Sequence, residues 1–329
     1  MTLENPTYQS APPLPLLPSP RHTPAIDQVR RLVWKLAIAT LILMAIGSAT
    51  RVMNAGLACP DWPLCYGTLI PSQQMNLQVF LEWFHRLDAA LIGLLSMGLV
   101  GLCGWYRRQL PSWTLGMAIA ALALVVFQGA LGGLTVTQLL RFDIVTAHLG
   151  TALLFFCTVL VMGVLLLPYR GTGTVGRLPW VSSAAAGLVY LQSLSGGLVG
   201  SQWALHQCLA VSSLCTVMNS HLLGVVPTSL ATLAVTVLAW RTPALHPALR
   251  QLAKGVAGLL LLQVGLGVAT FWLHLQVEPL TVAHQLIGAT LLGTLVCFSV
   301  LGWRDAHQAN SIELITPVKR STAADAPSL

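Results

Sequence analysis

The chain has 329 residues, of which 55% are hydrophobic and 8% charged, and its mean hydropathy is +0.74. Soluble globular domains carry about 25% charged residues, so this composition excludes one and describes an integral membrane protein. The net charge of +7 and the pI near 9.3 give no reason to invoke nucleic acid, because the distribution of the basic residues accounts for them by topology.

Residues 1–31 hold seven prolines and little periodicity, the pattern of a flexible cytoplasmic tail. They lack an apolar core followed by a small-residue cleavage site, so the first hydrophobic run is expected to be retained as a helix. Nearly uncharged runs long enough to cross ~30 Å of hydrocarbon follow. They lie near 32–50, 79–105, 112–138, 144–168, 178–200, 219–240, 248–272 and 280–303. The expectation is an all-α integral membrane protein with eight transmembrane helices, ending in a second loose tail at 304–329. In that arrangement Arg21, Arg30, Arg31, Lys35, Arg107, Arg108, Arg170, Arg177, Arg241, Arg250, Lys254, Arg304, Lys319 and Arg320 share one side, 14 of 17 basic residues. Only Arg51, Arg86 and Arg141 fall on the other, which puts both termini in the cytoplasm.

The two halves echo each other. Gln128-Gly-Ala-Leu-Gly132 precedes Thr146-Ala147-His148, and Gln263-Val-Gly-Leu-Gly267 precedes Val282-Ala283-His284 at almost the same distance. A cysteine pair, Cys59 and Cys65, comes before His85, and a second, Cys208 and Cys215, before His221. These matches predict two pseudo-repeated four-helix bundles, 32–170 and 171–303. An even number of spans per half makes the repeat parallel, whereas the inverted repeats common in transporters need an odd number.

His85, His148, His221 and His284 fall near the outer ends of the second, fourth, sixth and eighth predicted helices. Within each half, two histidines at similar depth on parallel helices can hold one planar metal macrocycle from opposite sides, giving haem sites at His85/His148 and His221/His284. The bland alternative is hydrogen-bonded helix packing. Zinc would need further convergent ligands that the bundles do not offer. His22, His246 and His307 are expected to be solvated, and His206 and His274 to have local roles in outer loops. Gly129, Gly132, Gly133, Gly196, Gly197, Gly200, Gly265 and Gly267 suit close helix packing, though a flat macrocycle also needs a face without side chains.

Both cysteine pairs fall in loops assigned to the oxidising side, where pairing within each loop is expected, as a loop staple or as a redox-active thiol pair. Cys103, Cys157 and Cys297 lie within helices and are expected to pack as small apolar groups. The halves differ at Glu82-Trp-Phe-His85-Arg86, whose counterpart Met218-Asn-Ser-His221-Leu222 lacks acid and base. Glu82 shares a helical face with His85 and either handles protons there or pairs with Arg86. Asp88, one turn beyond His85, suits a helix contact. Arg51 and Arg141 are candidates for haem propionates or for interfacial snorkelling.

These motifs together resemble the haem A synthase family: the Cys-Pro-x-Trp-Pro-x-Cys loop at 59–65, Glu82-x-x-His85-Arg86, the Gln-x-x-Leu-Gly repeats and the Ala-His pairs, over roughly residues 32–303. The resemblance implies oxidation of the C8 methyl of haem O to a formyl group, through successive hydroxylations, to give the haem A of terminal oxidases. It implies haem b as cofactor on His221 and His284, substrate haem at His85 and His148, and Glu82 as the catalytic acid. The implied partners are haem O, a haem O synthase, an electron donor and the lipid bilayer, with a homo-oligomer left open. A di-haem b-type electron-transfer protein and a transporter with a histidine proton relay remain the competing expectations.

Overall fold

The computed structural model describes residues 23–200, 215–273 and 276–315. His22, His206, His274 and Cys208 lie outside the described residues. The described chain is helical, with eight helices: α1 Pro24–Val52, α2 Leu77–Trp105, α3 Trp113–Thr137, α4 Phe142–Leu165, α5 Leu178–Val199, α6 Cys215–Arg241, α7 Pro247–Trp272 and α8 Glu278–Ile315. Seven are long and apolar enough to cross a membrane. The eighth, α5, is diluted by Ser182, Ser183, Gln192, Ser193 and Ser195.

Local signals start these helices. The Thr23 hydroxyl accepts from the Ile26 N–H at 3.4 Å, Pro24 occupies the first turn, and Asp27 pairs with Arg30 at 2.7 Å. Consequently α1 begins at Pro24, and 24–31 is helical where the sequence suggested tail. The Asn76 side chain caps α2 by accepting from the Val79 N–H at 2.9 Å. His246, expected to be solvated, instead caps α7: its Nδ1 accepts from the Ala248 N–H at 3.2 Å and its ring lies 4.6 Å from that of Tyr169.

At its other end α8 runs to Ile315, past the expected 303, and Arg304, Asp305 and Gln308 just beyond that point dock on the α4–α5 linker. Asp305 is fully buried and accepts from the Tyr169 hydroxyl (2.9 Å), the Thr172 N–H (2.8 Å) and the Gly173 N–H (2.7 Å). Arg304 donates to the carbonyls of Val164 (2.7 Å) and Leu167 (2.9 Å) at the open end of α4 and sits over the Tyr169 ring. Burial and the Asp305 carboxylate both push the Tyr169 hydroxyl pKa up.

In packing, α1 meets α2, α2 meets α3, α3 meets α4, and α4 returns to α1; α5, α6, α7 and α8 close a second ring in the same order. The rings join where α8 packs on α1 and α4, and α4 on α5. Leu36 of α1, Leu153 of α4, and Leu292, Leu295 and Phe298 of α8 are buried in one apolar cluster that extends through both rings. Lipid is as apolar as leucine, so close van der Waals approach drives such contacts. A Cβ on Gly163 would meet Trp34 and Val33, one on Gly293 would meet Leu160 and Phe156, and one on Gly197 would meet Leu149. Outward-facing Ile38, Ile42, Leu94, Val126 and Leu261 are exposed, as lipid-facing side chains are.

Candidate functional site

Each of the four histidines lies against a glycine of the preceding helix. A Cβ on Gly47 of α1 would stand 2.7 Å from His85 Cε1, one on Gly132 of α3 3.4 Å from His148 Cε1, one on Gly196 of α5 2.9 Å from His221 Cε1, and one on Gly267 of α7 3.0 Å from His284 Cε1. At Gly47 and Gly196 a Cβ would push the ring away and at Gly267 it would crowd it, so these glycines set the distance at which the imidazole stands, whereas at Gly132 a Cβ would make ordinary contact. His85 and His148 are within electrostatic reach of each other, and so are His221 and His284.

Four residues before the glycine, three of these helices carry a glutamine. Gln128 donates to the His148 carbonyl at 2.9 Å, Gln192 donates to the His221 carbonyl at 2.7 Å, and Gln263 meets His284 Nε2 at 3.3 Å. The fourth helix has Leu43 there, its backbone beside His85. Gln128 and Gln263 were visible as repeats in the sequence. Gln192 was not, although its spacing to Gly196 matches theirs; nor was Ser195, whose hydroxyl lies 2.9 Å from His221 Nδ1.

His221 and His284 face a cavity of about 350 Å³, also lined by Gln192, Gln263, Met44 and Arg51. Its size and largely apolar lining suit an organic cofactor. Arg51 belongs to α1, yet it enters this cavity of the second ring, where its guanidinium donates to Gln285 at 3.1 Å and its Nε has no partner. The Nδ1 atoms of His85, His148 and His284 are likewise buried without partners. Buried polar atoms are ordinarily hydrogen-bonded. Unpaired ring nitrogens, a glycine-backed space and a buried cation together fit a metal macrocycle bearing acidic substituents. Among the described residues no cluster of three or more His, Cys, Asp or Glu could hold a bare metal ion.

The first ring is capped differently. Cys59 and Cys65 form a disulfide, and the loop they close sits on the start of α2. Glu82, 3% exposed, accepts from the Cys59 N–H at 2.8 Å and from Arg86. Arg86 also donates to the carbonyls of Asp61 (2.6 Å), Cys59 (3.2 Å) and Leu64. Glu82 and Arg86 therefore pair, and the pair clamps the disulfide loop. Asp61 accepts from the N–H groups of Gly67 (2.7 Å) and Tyr66 (2.6 Å); these bonds, with Arg86 nearby, hold its carboxyl below the usual carboxylate range. Trp62 at the loop tip lies against Gly133 of α3, where a Cβ would stand 3.2 Å from the indole.

The remaining expected site residues are elsewhere. Arg141 is half-exposed and pairs with Asp143 at 2.6 Å, apart from the glycine–histidine contacts. Gly197 and Gly200 pack on Leu149 and Arg51, whereas Gly129 and Gly265 face open space. Cys103, Cys157 and Cys297 are free thiols within helices, Cys103 fully buried.

A family model described as cytochrome oxidase assembly protein, COX15-CtaA, matches residues 30–296. The chain belongs to this family. It is 27% identical to "Heme A synthase" of Shewanella oneidensis over 86% of its own length and all of the relative's. It is also 27% identical to "Heme A synthase" of Caulobacter vibrioides over 83% of this chain and 95% of that one. The mouse protein "Heme A synthase COX15" is 26% identical over 77% of both chains.

Proposed function

We propose that this chain is a haem A synthase, a membrane oxidoreductase that converts the C8 methyl of haem O to a formyl group by successive hydroxylations, supplying haem A to terminal oxidases. The observation that carries the reading is the twinned histidine arrangement in which one pair alone has a buried acid beside it. The names of relatives aligned along most of the chain support it.

His221 and His284 hold haem b, with Arg51 as the counter-charge for a propionate. Bound there, haem b supplies one-electron redox chemistry. His85 and His148 take the substrate haem, and the Gly47 and Gly132 contacts leave the rings standing off the helices that back them. Glu82 is the catalytic acid: at i, i+3 from His85 it shares that helical face, and the Arg86 guanidinium keeps a carboxylate tolerable in a buried position. Moving a proton through Glu82 means loosening its hold on the Cys59 N–H, so the disulfide loop and the acid act together.

The eight helices are read as eight spans in two repeated four-helix bundles, 32–170 for substrate and 171–303 for cofactor, with both termini cytoplasmic. The same reading includes a second outer disulfide between Cys208 and Cys215, a pairing that lies outside the described residues. Haem O synthase and an electron donor are the expected partners, and a homo-oligomer is compatible with this scheme.

Expression with a haem O supply, followed by chromatography of the extracted haems, should yield hydroxylated and formyl haem. A chain that binds both haems but leaves haem O unchanged is a di-haem electron carrier instead. Glu82→Ala should stop product formation while the haem b spectrum persists, and His284→Ala should lose that spectrum. If Glu82→Ala also removes the spectrum, the division of roles between the two pairs is wrong.

A further inference from the structure

His221 differs from the other three histidines in one respect. Its Nδ1 has hydrogen-bond partners, whereas the Nδ1 atoms of His85, His148 and His284 have none. The difference traces to one residue. Immediately before the glycine that backs each ring stand Ile46, Leu131 and Leu266 on α1, α3 and α7, but Ser195 on α5.

Ligation through Nε2 and the hydrogen bonds around Ser195 together say where the protons are. A hydroxyl has one hydrogen to give and two lone pairs to offer. Ser195 Oγ lies 2.9 Å from the Gln192 carbonyl, which can only accept, and 2.9 Å from His221 Nδ1. The Gln192 amide donates to the His221 carbonyl at 2.7 Å and stands 3.1 Å from Nδ1. In the haem b reading His221 ligates through Nε2, so its hydrogen is on Nδ1, and of the two neighbours only the Ser195 hydroxyl can accept it, because an amide nitrogen offers no lone pair. With the hydrogen on Nδ1, each donor has its own acceptor: Nδ1–H to Ser195, Ser195 to the Gln192 carbonyl, and Gln192 to the His221 carbonyl. Gly224 gives the Gln192 side chain its place, since a Cβ there would collide with Oε1.

We propose that Ser195 is a positioning residue that locks His221 in the Nδ1–H form, making it the stronger, electron-donating ligand of the cofactor haem and leaving His284 the weaker one. This rests on the reading of His221 and His284 as the haem b site. A histidine that donates from its second nitrogen is a more basic ligand and favours the ferric state.

The test uses the full-length protein, purified with haem b bound, with redox titration and haem transfer to apomyoglobin as readouts. Ser195→Ala should raise the midpoint potential and speed ferric haem loss about 10-fold, the lower end of what outer-shell substitutions cost in metal affinity. Ser195→Thr keeps the hydroxyl and should restore both values, including when Ser195→Ala binds too little haem to titrate. Ser182 lies on the same helix outside that cavity, its hydroxyl bonded to the Pro179 carbonyl at 3.1 Å; Ser182→Ala should leave the potential unchanged. Wild-type values in Ser195→Ala, no rescue by Thr, or an equal shift in Ser182→Ala would overturn the assignment. In each of those outcomes the haem b site itself stands. A wild-type protein without a bis-histidine haem spectrum would remove that site and this inference with it.

Discussion

Asp61 accepts from two successive N–H groups, those of Tyr66 and Gly67, and so braces the same loop that Cys59 and Cys65 close. Both of its partners have positive φ, 54° at Tyr66 and 68° at Gly67, a conformation that Tyr66 adopts only under constraint. Because the folded carboxyl titrates below its ordinary value, its contribution to loop order is complete above the usual carboxylate range. It is lost as pH falls through the depressed value. Hydrogen exchange of peptides covering 59–70, corrected for the intrinsic rate, should stay protected down to about pH 4 and open below it. In Asp61→Asn that acid step should vanish; an unchanged step would assign it to another group. At this scale the sequence showed the cysteines, Glu82, His85 and Arg86. It hid what Arg86 holds, because the three carbonyls that it grips belong to the backbone and leave no mark in the residue order.

Among the helices, the glycine facing each histidine yields a ranking. Alanine at Gly47 would bring a Cβ to 2.7 Å from His85 and at Gly196 to 2.9 Å from His221, closer than packed atoms come, while at Gly132 it would stand at 3.4 Å from His148. Gly196→Ala should therefore weaken haem b binding and Gly47→Ala substrate haem binding, each with an overpacking cost of roughly 1–3 kcal/mol, whereas Gly132→Ala should bind haem nearly as wild type does. Absorbance titration with haem ranks the three, and an equal response would show that the rings simply move aside. All eight helices were legible as long apolar runs, α5 at 178–200 among them, because length and hydropathy suffice to mark them. The ends of α1 and α8 were not: Thr23 capping and Asp305 docking are a local and a tertiary effect that hydropathy ignores. Gln192 was missed because the repeat was sought in its full Gln-x-x-Leu-Gly form, and α5 offers Ser-Gly instead.

Over the whole molecule, the two rings are tied at both ends. At one end Asp305 of α8 secures the linker from α4 to α5; at the other, Arg51 of α1 reaches the cavity of the second ring. Asp305→Ala would leave the buried Tyr169 hydroxyl and the part-buried N–H groups of Thr172 and Gly173 without their acceptor, at a cost of about 1–3 kcal/mol. Thermal unfolding in detergent should show a clear fall in Tm. Asp27→Ala, which breaks only a part-exposed pair with Arg30, should shift it little. Equal effects would mean that the junction is not a stabilising anchor. The polarity of α5 bears on how the chain reaches the bilayer at all. Gln192 and Ser195, which contact His221, and the other serines of α5 lower its tendency to leave the translocon for lipid by itself, since insertion follows summed side-chain transfer energies. Set among α4, α6 and α8, α5 draws on its neighbours for apolar cover that its own sequence supplies less of, so the groups beside His221 also bear on how this helix settles in the bilayer.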